Sequence, residues 1–134
     1  MGPLNDKKLP ETGKTILVVD DQAGIRRLIA DVLKEDGYRV LLAENGEAAL
    51  GFLKDCCPDL ILLDMRMPGM SGLETLNRIR GRNYTGPIVL MTAFDDLDSI
   101  AGTSEVGASH FLSKPFDIFE LKSEVKRVLR MEYS

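Results

Sequence analysis

Four short apolar runs, each stopping abruptly at residues capable of chemistry, constrain this chain more than any other feature. Ile16-Leu17-Val18-Val19 ends in Asp20-Asp21, and Leu60-Ile61-Leu62-Leu63 ends in Asp64. Ile88-Val89-Leu90-Met91 ends in Thr92, and the shorter His110-Phe111-Leu112 is followed by Ser113 and Lys114-Pro115. Runs apolar at consecutive positions fit strands buried on both faces of a parallel sheet. Their last residues then lie at the carboxyl end of the sheet, where open α/β folds bind ligands. Three acids, one hydroxyl and one amine are therefore expected to converge, with Asp64 at the centre.

Between these runs the apolar spacing changes to every third or fourth residue, as in helices. A first helix is expected from about Gln22 to Asp36, carrying Ile25, Ile29, Val32 and Leu33 inward and stopped by Gly37. Arg39 to Ala43 reads as a shorter strand. A second helix starts at an Asn45 cap and runs to Pro58, with Ala49, Leu50, Leu53 and Cys56 or Cys57 facing inward. Ser71-Gly72-Leu73-Glu74 has the form of a capping box and opens a third helix to about Arg82, burying Leu73, Leu76 and Ile79. Gly86-Pro87 opens the next strand.

Asp96 to Val106 predicts the weakest helix, because Gly102, Thr103 and Ser104 stand together within it and a Gly alone costs about 1 kcal/mol. It should be the most easily displaced element. Asp117-Ile118-Phe119-Glu120 is a second capping box, opening a fifth helix with Ile118, Leu121, Val125 and Val128 on one face. Five strands alternating with five helices make a doubly wound α/β domain with a parallel sheet and right-handed crossovers. Placing the three most apolar strands centrally gives the order 2-1-3-4-5, with strands one and three side by side at the switch point. Residues 1–14 read as a mobile leader or cloning remnant, 15–131 as the single domain and 132–134 as a tail.

Composition narrows the function. The chain has 134 residues, 44% of them hydrophobic, which suits one core. A formal net charge of -4 without a basic cluster argues against direct nucleic-acid binding. No apolar run is long enough to span a membrane, and the first eight residues lack a signal-peptide core, so a cytoplasmic location is expected. Cys56 and Cys57 are neighbours with no His or further Cys to complete a metal quartet, and read as small apolar residues.

Carboxylates ~4 Å apart repel by roughly 4 kcal/mol per pair at an effective dielectric of ~20. Asp20, Asp21 and Asp64 together therefore need a cation or protons. An all-oxygen donor set with open positions suits Mg²⁺ or Mn²⁺, and Mg²⁺ held by a few carboxylates expects phosphate as its other partner. Lys114 and Thr92 can hold the peripheral oxygens of a phosphoryl group. Among these groups a carboxylate is the best nucleophile, and Asp64 lies between the acid pair and the Thr92–Lys114 side. A cis Lys114–Pro115 bond, which X-Pro allows at little cost, would turn Lys114 back over the strand ends.

These residues resemble the receiver domain of bacterial two-component response regulators, over about Lys14 to Arg130. The motifs are Asp20-Asp21, Leu62 through Gly72 around Asp64, Met91-Thr92-Ala93, and Gly107-Ala108 leading to Lys114-Pro115-Phe116. Asp20-Asp21-Gln22, Gly24-Ile25-Arg26 and Lys114-Pro115-Phe116-Asp117-Ile118 are most similar to stand-alone receivers of sporulation phosphorelays, although Phe111 stands where those have His and Arg66 where they have Lys. Asp96-Leu97-Asp98 and Pro115-Phe116-Asp117 are shared with receivers that precede ATPase and DNA-binding domains.

The resemblance implies that Asp64 accepts phosphate from a phosphohistidine of a histidine kinase or phosphotransferase. It implies Mg²⁺ on Asp21, Asp64 and the backbone carbonyl of Arg66, with Asp20 acting through water. Thr92 and Lys114 would hold the phosphoryl oxygens, and Thr92 and Phe111 would form the switch. Such a domain catalyses only its own phosphorylation and dephosphorylation, and signals onward to a partner or downstream effector.

Each residue taken singly has a plainer reading. Asp20 or Asp21 can cap a helix, Thr92 can be a strand-end hydroxyl and Lys114 a solvated loop lysine; only their meeting overturns this. His110 reads as an edge-strand side chain. Met65, Met67 and Met70 fit gap fillers or an adaptable partner surface equally. At least one of Ile25 and Leu28 is expected to be exposed and to dock the phosphodonor. A Mg²⁺-dependent phosphatase for small esters is the leading alternative, but it usually has a second acid two residues after the nucleophile, where Arg66 stands. A nucleotide or flavin module would need a Gly-rich loop after the first strand, where the acids lie. A receiver-like module without phosphorylation is disfavoured because every pocket residue is present. No effector domain is expected within these 134 residues, which leaves two readings: a stand-alone relay or single-domain switch, or a receiver cut from a longer regulator.

Overall fold

The computed structural model describes residues 12–93 and 110–133. Five strands form one sheet: β1 (Thr15–Val19), β2 (Arg39–Ala43), β3 (Leu60–Asp64), β4 (Ile88–Ala93) and β5 (His110–Lys114). Among the described residues four helices pack on it: α1 (Ala23–Glu35), α2 (Gly46–Phe52), α3 (Gly72–Gly81) and α4 (Ile118–Tyr133). The weak helix expected over 96–106 lies outside the described residues. All strand pairs are parallel, in the order β2-β1-β3-β4-β5.

The apolar runs account for this order. Every residue of β3 is buried, and β1 and β4 are nearly so, while the edge strands β2 and β5 are partly open to solvent, β5 in alternation. Successive side chains leave opposite faces of a strand. Leu17, Val19, Ile61, Leu63 and Leu90 therefore meet Leu50 of α2 and Leu76 and Ile79 of α3. Ile16, Val18, Leu60, Leu62 and Val89 meet Ile29 and Leu33 of α1 and Leu121, Val125 and Val128 of α4. Each such side chain contributes roughly 2 kcal/mol on burial.

The helix starts follow local chemistry. Asn45 Oδ1 accepts from the Ala48 amide at 2.8 Å. At α4 the capping box is reciprocal: the Glu120 amide donates to Asp117 Oδ1 at 2.8 Å and the Asp117 amide to Glu120 Oε1 at 2.9 Å. At α3, Ser71 Oγ accepts from the Glu74 amide at 3.1 Å, while the Glu74 carboxylate takes Arg78 at 3.2 Å.

The second helix is shorter than its sequence suggests. It ends at Phe52 instead of reaching Pro58, and the Leu50 carbonyl in its last turn accepts from Arg82 Nη1 at 3.2 Å. The Lys54 amide then turns to Gly51 and that of Asp55 to Phe52, tightening the chain into non-helical turns. Cys56 and Cys57 fall in the connection, half-buried and exposed, rather than on an inward helical face.

Candidate functional site

The ends of β1, β3 and β5 bring the central groups together. Asp20 follows β1 and is fully buried; Asp64 closes β3 and is 5% exposed. Lys114, the last residue of β5, donates from Nζ to Asp20 Oδ2 at 2.8 Å and to Asp64 Oδ1 at 3.2 Å. The Lys114–Pro115 peptide is cis. Asp21 is exposed, but one oxygen from each of Asp20, Asp21 and Asp64 lies within 4.8 Å of the others.

Beside them opens a hollow of about 230 Å³, lined by Asp21, Gln22, Asp64, Arg66, Met91, Ala93 and Lys114. Its volume suits a phosphoryl group with a hydrated ion. Three carboxylates face one ammonium, so negative charge is left uncompensated. The donors are all hard oxygens, which fits Mg²⁺ or Mn²⁺ and not a thiophilic metal.

The electrostatics follow from burial. Asp64 is pushed up from its ordinary 3.8 to about 6, first because it is desolvated and then because Asp20 is beside it. Lys114 and the Arg66 backbone amide oppose this by bonding the charged form. Burial pulls the Lys114 ammonium down, but its hydrogen bond to Asp20 and the charges of both acids outweigh that, and its pKa is raised.

The loops are pinned from outside the acid cluster. Asp20 Oδ1 accepts from the Gln22 amide at 2.9 Å, and Arg26 Nη1 donates to the Asp20 carbonyl at 2.7 Å. Gln22 occupies the cap position of α1 without a side-chain bond, so the simple capping reading of the acid pair does not hold. Gly72 packs against the β3 exit: its amide donates to the Met65 carbonyl at 2.9 Å. A Cβ there would overlap the Asp64 carbonyl oxygen and stand 2.5 Å from Met65 Cα.

Thr92 lies on β4 next to the hollow but does not line it. Its side chain is 1% exposed, and its single hydroxyl proton has two acceptors in reach, Met65 Sδ at 3.4 Å and the Ala93 carbonyl at 3.2 Å. Met65 and Met67 are buried in the core and Met70 packs against it, so the gap-filling reading of these methionines applies. Phe111 is exposed on β5, and His110 is a buried edge-strand side chain. On α1, Ile25 packs partly against the core whereas Leu28 is 44% exposed. Leu28 borders an apolar groove with Phe116, Ile118, Phe119 and Leu121, in which Phe119 is 79% exposed.

Gln22, Arg26 and the Met65 sulfur were not among the sequence candidates. Arg26 stands one helical turn beyond Gln22, a spacing that carries no signal by itself. No helix among the described residues is long and apolar enough to cross a membrane.

The family profile described as the response regulator receiver domain matches residues 16–126. Sporulation initiation phosphotransferase F of Bacillus subtilis is 43% identical over 117 residues, which cover 87% of this chain and 94% of that protein. The phosphate regulon transcriptional regulatory protein PhoB of Pseudomonas aeruginosa is 45% identical over 120 residues, covering 88% of this chain but 52% of its own length. Among solved structures, the chemotaxis response regulator CheY4 of Vibrio cholerae matches with a TM-score of 0.81 at 31% identity, covering 87% of this chain and 99% of its own.

Proposed function

The chain belongs to the response regulator receiver domain family, and from that premise we propose that Asp64 is its phosphoacceptor, charged by the phosphohistidine of a kinase or phosphotransferase. The observation that carries this is the Asp64 carboxylate itself: buried, 3.2 Å from Lys114 Nζ, and opening onto a phosphate-sized hollow. One carboxylate oxygen of Asp64 attacks phosphorus and forms an O–P bond. The P–N bond to the donor imidazole breaks, and its electron pair leaves on the imidazole nitrogen. The Lys114 ammonium, already in the pocket, neutralises a phosphoryl oxygen as charge redistributes.

Asp21, Asp64 and the Arg66 carbonyl would hold Mg²⁺ or Mn²⁺, with Asp20 acting through water. When bound, such an ion would supply charge neutralisation for the acids and the incoming phosphoryl group. Asp20 keeps Lys114 in place, and the Arg66 amide orients the Asp64 carboxylate. Thr92 turns inward to the phosphoryl group, and Phe111 follows, so that phosphorylation biases two states of one domain. The donor docks beside α1 over Ile25 and Leu28, where apolar surface is exposed. The setting is the cytoplasm, and the phosphoryl group is passed on or read by an effector.

The phosphatase alternative gains nothing from the geometry, since Arg66 occupies the position its second acid requires. Incubation with acetyl phosphate and Mg²⁺ followed by intact-mass spectrometry is the test. The wild type should gain one phosphoryl group and release acetate, and Asp64→Asn should gain none. Equal labelling of the Asn variant would refute the assignment.

A further inference from the structure

We propose that Met65 is a positioning residue for phosphoryl acceptance: its thioether sulfur holds the Thr92 hydroxyl outside the hollow until the phosphoryl group draws it in. The inference rests on Asp64 being the phosphoacceptor and adds a residue that sets how readily the phosphorylated state forms.

The one proton of Thr92 Oγ1 is shared between two acceptors, Met65 Sδ at 3.4 Å and the Ala93 carbonyl at 3.2 Å, and both Thr92 and Met65 are buried. The neighbours of Thr92 on β4, Met91 and Ala93, line the hollow, while Thr92 does not. A side-chain rotation, rather than a backbone shift, therefore separates its present partners from a phosphoryl oxygen. Water is excluded here, so the hydroxyl needs a protein partner in whichever state it occupies.

Met65 cannot follow Thr92 inward. Its amide donates to the Met91 carbonyl at 2.9 Å, its carbonyl accepts from Gly72 at 2.9 Å, and its side chain packs in the core under α2 and α3. That core packing holds the sulfur on its side of β4, and the contact breaks when Thr92 turns. Thioether sulfur is a weak acceptor. The choice of Met at this position makes a contact strong enough to park the hydroxyl and weak enough for a phosphoryl oxygen to outbid.

The parked state alone gains from the sulfur, so changing the sulfur changes the equilibrium in a known direction. Met65→Leu keeps the volume and the fold but removes the sulfur, leaving the Ala93 carbonyl as the acceptor outside the hollow. Met65→Gln offers a stronger one. The probe is beryllofluoride with Mg²⁺, a phosphoryl mimic on carboxylates, titrated into the whole chain by calorimetry. A net hydrogen bond at the weak end of its range alters the apparent affinity by roughly two- to fivefold. Met65→Leu should bind about threefold tighter than wild type and Met65→Gln weaker. In a Thr92→Val background, which has no hydroxyl to park, the Met65 variants should bind alike.

Equal affinities of wild type and Met65→Leu, or an effect of the same size in the Thr92→Val background, would overturn the role of Met65. The latter result would make Met65 a packing residue only. If wild type itself fails to bind the mimic while remaining folded, the phosphoacceptor reading fails instead, so the two are told apart.

Discussion

Replacing Asp64 with Asn should stabilise the protein when divalent cations are absent. Asp64 is 5% exposed, beside a fully buried Asp20, and shares one ammonium with it. Burial and Asp20 push its pKa from 3.8 to about 6. At about 1.4 kcal/mol per tenfold, keeping this carboxylate charged in the folded state costs ~3 kcal/mol at pH 7.5. Asn has nearly the same shape, never ionises, and its amide oxygen can still accept from Lys114. The variant should therefore be more stable by up to about 3 kcal/mol, on the order of 10 °C in unfolding midpoint for a domain of this size.

The sign can be checked with pH. The folded-state pKa lies above the unfolded one, so the folded protein binds this proton more tightly. Between pH 6 and 3.8 the wild type gains stability as pH falls, and the advantage of Asn shrinks toward zero. Mg²⁺ acts in the same direction as protons, adding ~1.4 kcal/mol to the wild type at ten times its Kd and less to the variant. Thermal and urea unfolding, followed by circular dichroism at pH 7.5 and 4.5 with EDTA or Mg²⁺, measures all four arms. If Asp64→Asn is less stable than wild type at pH 7.5 in EDTA, the ion pair with Lys114 outweighs desolvation and the reasoning fails.

Two other substitutions probe the same arrangement. Lys114→Met leaves Asp20 and Asp64 without their shared cation and should lose about 3 kcal/mol in EDTA, partly recovered with Mg²⁺; urea midpoints report both. Leu28→Asp alters an exposed side chain on α1 and should slow transfer from a phosphohistidine donor at least tenfold, while labelling by acetyl phosphate stays unchanged. Equal slowing with both donors would mean that Leu28 acts on the pocket and not on docking.

What the sequence made legible depended on how local its cause was. Strand order followed from consecutive apolar runs, because only double-sided burial tolerates Leu60-Ile61-Leu62-Leu63 without alternation. The Asn45, Ser71 and Asp117 caps were readable because cap and amide are three residues apart. The end of α2 was not, since the partner of its last-turn Leu50 carbonyl is Arg82, thirty-two residues on, a contact that no local spacing announces. In the site, the meeting of Asp20, Asp64 and Lys114 was legible from parallel strand ends. The direction of the Thr92 hydroxyl was not, because it turns on one side-chain torsion and on where the Met65 sulfur packs.

The same site is where the chain departs from the rules that its core obeys. Charged side chains are almost never fully buried unless paired, yet Asp20 is fully buried, Asp64 nearly so, and one lysine serves both. A chain selected for stability alone would place apolar or neutral residues at these two strand ends, as it does at every position before them. Positive charge brought into the hollow lined by Asp21, Asp64 and Lys114 would relieve that destabilisation. On the proposed function a cation would do this for the acids, and with that charge matched the hollow would accept a phosphoryl group that the bare carboxylates repel. The cost measured by Asp64→Asn and the affinity for the ion are thus two readings of one electrostatic deficit, and a variant that lowers the first must weaken the second.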